Sequence, residues 1–394
     1  MTDETADVPA TPPDQKAPQE KSPDQKAPGA TLDKKKSIIL GLIGLVVIVI
    51  IFVKVIPQVG SYSAALDALE NMSFLALVLV GLSVLLYLGV YGLTFMAAAP
   101  GLGYWRGQQV NQAAFTISNG VPAGGAFGLG VQYGMLTSFG ITPTATTAAI
   151  SAVGVWSIFV TLGFPILGVA ALVVSGENGG PYVLTALIGL GILLAMIVVF
   201  ALIMRSESFA AWLGRLGNKL VQPLMRRFRH DDEFDLVPMT LKFRHDIVDL
   251  VRRRWAGITA AQLSIALTQF LILYFALRGV EGWDNAGTAI GVAFAAFGIS
   301  QLGLMIPITP GGLGTVDAAM IALMVSFGVD EGTATAADLI WRAVSYVPQI
   351  IIGLVALIAW YRGFAKKLAS GESVSGSSAT GSSDGSSNGA QTAS

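Results

Sequence analysis

The chain has 394 residues, of which 53% are hydrophobic and 12% charged, and a formal net charge of −1. A soluble domain carries about twice that charged fraction, so a water-soluble globule is excluded. The near-neutral balance gives no reason to expect a nucleic-acid partner, and zero cysteines exclude disulfides, thiolate metal sites and cysteine nucleophiles. In chain order, residues 1–36 form a polar tail that repeats "PDQKAP" at Pro13–Pro18 and Pro23–Pro28. Such a composition buries too little apolar surface to offset chain entropy. Apolar runs long enough to cross a bilayer as helices follow near 37–56, 73–98, 150–175, 182–204, 256–278 and 339–361. The first run is longer than a secretory core and follows a long polar tail, which predicts an uncleaved span. A charged segment, 205–255, interrupts the series, and a Ser/Gly-rich tail, 368–394, ends it.

The orientation follows from basic residues, because basic loops stay in the cytoplasm. Lys and Arg concentrate at Lys34–Lys36, Arg106, Arg205–Arg254 and Arg362–Lys367. Six crossings place all four sites on one side, with both termini cytoplasmic and Glu177 and Glu281–Asn285 outside. Two apolar segments remain, 108–146 and 287–328, each beginning and ending on one side. Each is broken in the middle, by "NGVPAGGAFG" (Asn119–Gly128) and "PITPGGLG" (Pro307–Gly314). Irregular backbone at membrane depth is tolerated only inside protein or against a wet cavity. The expected fold is therefore an all-α polytopic membrane protein with about six transmembrane helices plus two re-entrant hairpins from opposite faces. The alternative is eight to ten ordinary spans.

An internal repeat supports the hairpins. Shifted by 188 positions without gaps, Pro122–Ala149 and Pro310–Ala337 share eight of 28 residues, including Gly124/Gly312 and the "SFG" of Ser138–Gly140 and Ser326–Gly328. The membrane domain thus spans 37–367, with repeat 1 at about 73–175, the cytoplasmic segment 205–255, and repeat 2 at about 256–361. Inverted repeats with broken helices are a transporter arrangement, with substrate bound near the midplane between the halves.

A helix that starts at Gly311–Gly314 leaves its first N–H groups unpaired and carries partial positive charge there. Glycines let an anion approach the backbone, so this end is a candidate phosphate site. Gly120, Gly124 and Gly128 admit a second explanation, close helix packing through small residues. Arg342, about one turn inside the last apolar run, sits in surroundings where an ionisable residue is costly and usually functional. Its alternative role is a structural ion pair with Asp338, one turn away. Asp317, after the glycine turn, could also pair with Arg342, bind a lipid amine or carry a proton. "HDDEFD" (His230–Asp235) has the chemistry of a cation loop or of a solvated acidic loop.

"PITPGGLGTVDAAM" (Pro307–Met320) followed by "DLIWRAVSYVPQIIIG" (Asp338–Gly353) resembles the flippase-like membrane family related to the transmembrane half of lysylphosphatidylglycerol synthetase, or multiple peptide resistance factor. The matching residues are Pro307, Thr309, Pro310, Gly311, Gly312, Leu313, Gly314, Asp317 (where the family usually has Glu), Arg342, Tyr346 and Pro348. The resemblance implies movement of a lipid between leaflets. Only a polar tail follows Lys367, so lipid lysylation is not expected of this chain.

The expected substrate-binding residues are Thr309, Pro310, Gly311, Gly312, Gly314, Asp317, Arg342 and Tyr346, with Asn119, Pro122, Gly124 and Gly125 from the first hairpin. The expected function is flipping of an anionic phospholipid or polyprenyl-phosphate-type lipid across the cytoplasmic membrane. Anionic lipid headgroups are the expected partners; no cofactor, metal or catalytic activity is expected. The alternatives are an integral membrane transferase with a lipid-linked substrate, for which Asp231–Asp235 are the candidate carboxylates, and a non-transporting partner in envelope assembly.

Overall fold

The computed structural model describes residues 72–120, 124–174, 180–228, 235–283, 287–305 and 310–369, together with Asp67 and Glu70. The expected helix 37–56, both tails, Pro122, Thr309 and 230–234 of the acidic loop lie outside them. Among the described residues the chain is helical throughout, with no strand. In order the helices are α1 (Phe74–Val90), α2 (Leu93–Ala98), α3 (Tyr104–Gly120), α4 (Gly124–Ser138), α5 (Pro143–Val174), α6 (Gly180–Arg205), α7 (Glu207–Phe228), α8 (Leu236–Glu281), α9 (Ile290–Ser300), α10 (Thr315–Ser326) and α11 (Glu331–Ala369). Short 3₁₀ turns at Gln301–Met305 and Pro310–Gly312 separate α9 from α10.

Five stretches among these are long and apolar enough to cross a membrane: Phe74–Ala98, Pro143–Val174, Leu187–Arg205, Leu236–Glu281 and Glu331–Gly363. They coincide with the last five spans expected from hydropathy. The helices of the two leftover segments are short. α3 and α4 have 17 and 15 residues, or about 26 and 23 Å at 1.5 Å per residue, below the ~30 Å of a hydrocarbon core. α9 and α10 are shorter still, with 11 and 12 residues.

The repeat is visible in the helix ends. α4 ends at Ser138 and α10 at Ser326, 188 positions apart. Gly140 (φ +89°) and Gly328 (φ +93°), also 188 apart, close the two helices in the left-handed region that glycine adopts freely. The next helices begin at Pro143 and Glu331, again 188 apart. Packing follows the same exchange: α3 of repeat 1 lies on α11 of repeat 2, while α9, the counterpart of α3, lies on α5, the counterpart of α11. α1 packs on α8. Such swapped partners are what a two-fold relation between the halves produces.

Two boundaries depart from the sequence expectation. α5 and α11 start seven and eight residues earlier than hydropathy suggests, because their first turns are small or polar yet covered by protein: Ala148 and Ala149 on one, Ala334, Ala337 and Asp338 on the other. The charged segment 205–255 is largely helical among the described residues. It forms amphipathic α7 and the first half of α8, a single helix of 46 residues. α7 and α8 pack together. Asn218 and the Val237 backbone N–H both donate to Asp235 at the start of α8 and hold its carboxyl below the usual range. Asp330 starts α11 in the same way, accepting from the Thr333 backbone N–H at 3.0 Å.

The core lies where repeat 2 meets α5. Phe270, Phe297, Met320 and Trp341 are all 5% exposed or less. α6 is the opposite case: its apolar window has a mean hydropathy of 3.0 and is only 6% buried, a surface that suits lipid contact. Close contact between α5 and α9 depends on missing side chains. A Cβ on Gly298 would stand 2.6 Å from the Phe164 carbonyl oxygen, and one on Gly168 would stand 2.9 Å from the Ala295 Cα. Gly298→Ala is accordingly expected to cost about 1–3 kcal/mol, as overpacking does, whereas Gly81→Ala, with nothing within 4 Å, leaves the melting temperature unchanged or slightly raised. Thermal unfolding of the two purified variants in detergent checks the contrast; equal melting would refute the steric account.

Candidate functional site: a polar cavity between the repeats

The glycine turn between the 3₁₀ turn at Pro310 and α10 is built from backbone conformations closed to most residues. Gly311, Gly312 and Gly314 have φ of +62°, +68° and +84°. One of the turn's N–H donors is taken by the chain itself. Asp317, in the first turn of α10, bends back so that its Oδ2 accepts from the Gly314 backbone N–H at 2.6 Å. The helix N-terminus expected to hold a substrate anion is thus capped in this conformation by a carboxylate of the chain itself.

The other oxygen of that carboxylate takes Arg342. Arg342 Nε donates to Asp317 Oδ1 at 2.6 Å, and Nη2 approaches the same oxygen at 2.5 Å. Nη1 reaches the Gly311 carbonyl at 3.4 Å. The guanidinium also lies over two rings, 4.6 Å from the Trp341 centroid and 4.8 Å from that of Tyr346, contacts that favour a cation in a dry site. Tyr346 Oη donates to the Gly311 carbonyl at 2.7 Å. One carbonyl therefore receives both Arg342 and Tyr346 of α11, and Asp317 and Arg342 are only 2% and 4% exposed.

This arrangement corrects one expectation. Hydropathy and spacing put Arg342 about one turn inside the last helix, with Asp338 or Asp317 as its possible partner. It lies 11 residues, about three turns, past the start of α11, and its hydrogen-bonded partner is Asp317. Asp338 is fully buried, and neither of its oxygens has a hydrogen-bond partner among the described residues.

The first hairpin enters through Asn119. A Cβ on Gly311 would collide with Asn119 Oδ1 and with Tyr346 Oη, so the tip of one hairpin and the turn of the other are in contact. Gly124 has a different role. A Cβ there would strike the carbonyls of Ile117 and Ser118, and one on Gly128 would meet Ser118 and Ala114. These two glycines let α4 press on α3. Gly125 faces open space. Gly312 packs beside Val316 and Leu304, whereas a Cβ on Gly314 would have nothing within 4 Å.

Gly311, Arg342, Tyr346 and Asn119 line a cavity of about 390 Å³ that draws on both repeats. Its wall is mixed. Apolar residues such as Phe164, Phe297 and Trp341 alternate with Asn111, Gln132, Gln262, Gln269 and Gln301. Sequence reasoning missed these amides. The signal was present: Gln262 and Gln269 stand seven residues apart in an apolar helix, a spacing that puts both on one face. A small polar network supports the wall. Gln269 donates to Tyr87 Oη at 2.8 Å, and Tyr87 donates to Gln349 Oε1 at 2.9 Å. Tyr87, Tyr91, Phe115 and Tyr346 form a run of edge-to-face rings leading to Gly311. No group of three or more possible metal ligands occurs among the described residues.

The sequence that builds this site is similar to known sequences. Over residues 39–353 the chain matches the family described as the lysylphosphatidylglycerol synthase TM region. The chain belongs to that family. Every residue of the cavity wall named above falls within the matched stretch. The UPF0104 membrane protein MJ1595 of Methanocaldococcus jannaschii is similar, 32% identical over 116 residues, or 29% of this chain. The match spans about a third of that relative's length, 34%. Membership of the lysylphosphatidylglycerol synthase TM-region family and the apolar helices agree that this is a multi-pass membrane protein.

Proposed function

We propose that the chain moves an anionic lipid, of phospholipid or polyprenyl-phosphate type, between the leaflets of the cytoplasmic membrane, without itself catalysing a covalent reaction. The observation that carries this is the cavity shared by both repeats, with Arg342 in its wall and an acyl-compatible apolar lining beside it. Arg presents a planar fork that suits phosphate oxygens, and Asp317 keeps that fork oriented until a headgroup replaces it. Anionic headgroups are the partners, and both termini are cytoplasmic on the distribution of Lys and Arg.

The test is transbilayer movement of a fluorescent phosphatidylglycerol in proteoliposomes of the full chain. Arg342→Lys keeps a positive charge opposite Asp317 but offers a point charge instead of a fork, so it should fold and slow the movement well below wild type. A fluorescent phosphatidylcholine, zwitterionic, should move more slowly than phosphatidylglycerol. Normal rates for Arg342→Lys would remove the fork from the mechanism. An absence of movement by well-folded wild type, for both phosphatidylglycerol and a short polyprenyl phosphate, would overturn the assignment.

A further inference from the structure

We infer that Asp338 carries a proton beside the Arg342 clamp, and that one proton accompanies each singly charged headgroup across the membrane. The inference rests on the lipid-transport function proposed above. Four ionisable side chains share this buried corner: Asp317 and Arg342, at 2% and 4% exposure, Asp338 at 0%, and Tyr346, whose ring lies against Arg342 and whose hydroxyl donates to the Gly311 carbonyl. Asp317 is fully engaged, with Oδ1 on Arg342 and Oδ2 on the Gly314 N–H. Arg342 Nε is on Asp317 and Nη1 on the Gly311 carbonyl, while Nη2 approaches Asp317 without a hydrogen bond among the described residues. Asp338 has neither a donor for its oxygens among the described residues nor water-exposed surface. Burying a carboxylate without hydrogen bonds costs far more than burying the neutral acid.

The helices packed on α11 are α1, α3, α8 and α10. Among the described residues the charges that act on Asp338 are Asp317 from α10 and Arg342 from its own helix; α1, α3 and α8 add none, and the α8 pair of Arg278 and Glu281 is joined at 2.9 Å. With the proton on Asp338 the corner is neutral: one arginine, one carboxylate, one acid. A phosphodiester that takes Arg342 from Asp317 adds one negative charge and leaves the Asp317 carboxylate without its cation. Passing the Asp338 proton to Asp317, and refilling Asp338 with one proton from water, restores neutrality. The lipid anion and the proton then cross together with no net charge.

Infrared difference spectra of the full chain in nanodiscs, without added lipid ligand, should show the C=O band of a protonated carboxylic acid. Asp338→Asn should remove the band, and Asp338→Glu, which keeps an acid at the site, should retain one. In proteoliposomes with fluorescent phosphatidylglycerol, a gradient of one pH unit should shift the steady-state distribution of the lipid toward the alkaline side by about tenfold per coupled proton. An imposed membrane potential alone should not shift it. Asp338→Asn should lose the response to the pH gradient, while Asp338→Glu should keep it and so report on folding. Absence of the acid band in wild type, or its persistence in Asp338→Asn, overturns the proton on Asp338. A wild type that moves the lipid equally with and without the gradient overturns the coupling and leaves the lipid-transport function standing. A wild type that moves no lipid ends that function and the coupling with it, and the band alone then decides whether Asp338 holds the proton.

Discussion

Arg342→Gln should destabilise the protein severely, and neutralising Asp317 alongside it should restore most of the loss. The pair is buried, with Asp317 and Arg342 2% and 4% exposed and joined through Nε at 2.6 Å. Removing one partner of such a pair leaves a charge without compensation and costs about 3–5 kcal/mol. Removing both takes away the attraction and the desolvation cost together, and often leaves stability nearly unchanged. Asp317→Asn keeps an oxygen for the Gly314 N–H, which Oδ2 now accepts at 2.6 Å, so the glycine turn should survive in Asp317→Asn/Arg342→Gln. Thermal unfolding and monodispersity in detergent should therefore show a poor single variant and a near-normal double one. Lipid movement should be lost in both, since neither retains the fork. A double variant as unstable as Arg342→Gln would mean that the charge pairing does not govern stability here.

Gly311→Ala should have the next largest effect, greater than Gly314→Ala, although both positions have positive φ. Left-handed backbone costs an L residue about 1–2 kcal/mol. At Gly314, φ +84°, nothing lies within 4 Å of where a Cβ would be, so strain is the whole effect. At Gly311 the new carbon would also strike Tyr346 Oη and Asn119 Oδ1. Those contacts come from α11 and α3, both long rigid elements, so the turn must move. That movement would break the 2.7 Å bond from Tyr346 to the Gly311 carbonyl and shift the Arg342–Asp317 pair beside it. Tyr346→Phe, which removes the colliding oxygen, should recover part of the stability of Gly311→Ala. The readouts are melting temperature and phosphatidylglycerol movement. If Gly311→Ala melts no lower than Gly314→Ala, the hairpin tips are not in the contact described.

Much of the architecture was legible in the amino-acid sequence because the bilayer imposes a simple rule: apolar runs of sufficient length become helices. Five of the six expected spans appear among the described helices, and the 188-residue repeat seen in Pro122–Ala149 and Pro310–Ala337 reappears in the ends of α4 and α10 and the starts of α5 and α11. Hydropathy erred where protein, rather than lipid, covers the chain. The first turns of α5 and α11 contain Thr, Ala, Asp and Gly, which a lipid-facing helix would avoid and a buried one accepts.

The candidate site divides along the same line. Spacing alone singled out the Gly311–Gly314 turn, Asp317 and Arg342, since Gly, Pro and charge are conspicuous in an apolar stretch. Partner choice was not legible. Asp338 is four residues from Arg342 and Asp317 is 25 away, and spacing alone did not decide between them. The turn of α10 against α11 instead brings Asp317 to the guanidinium and leaves Asp338 without a hydrogen-bonding partner among the described residues. The amides of Gln262, Gln269 and Gln301 likewise became part of one wall only when α8 and the turn after α9 packed around the cavity. Hydropathy and repeats are properties of a one-dimensional chain and fix which segments enter the membrane. Ion pairing and cavity shape depend on distances between segments far apart in sequence, and only helix packing sets those.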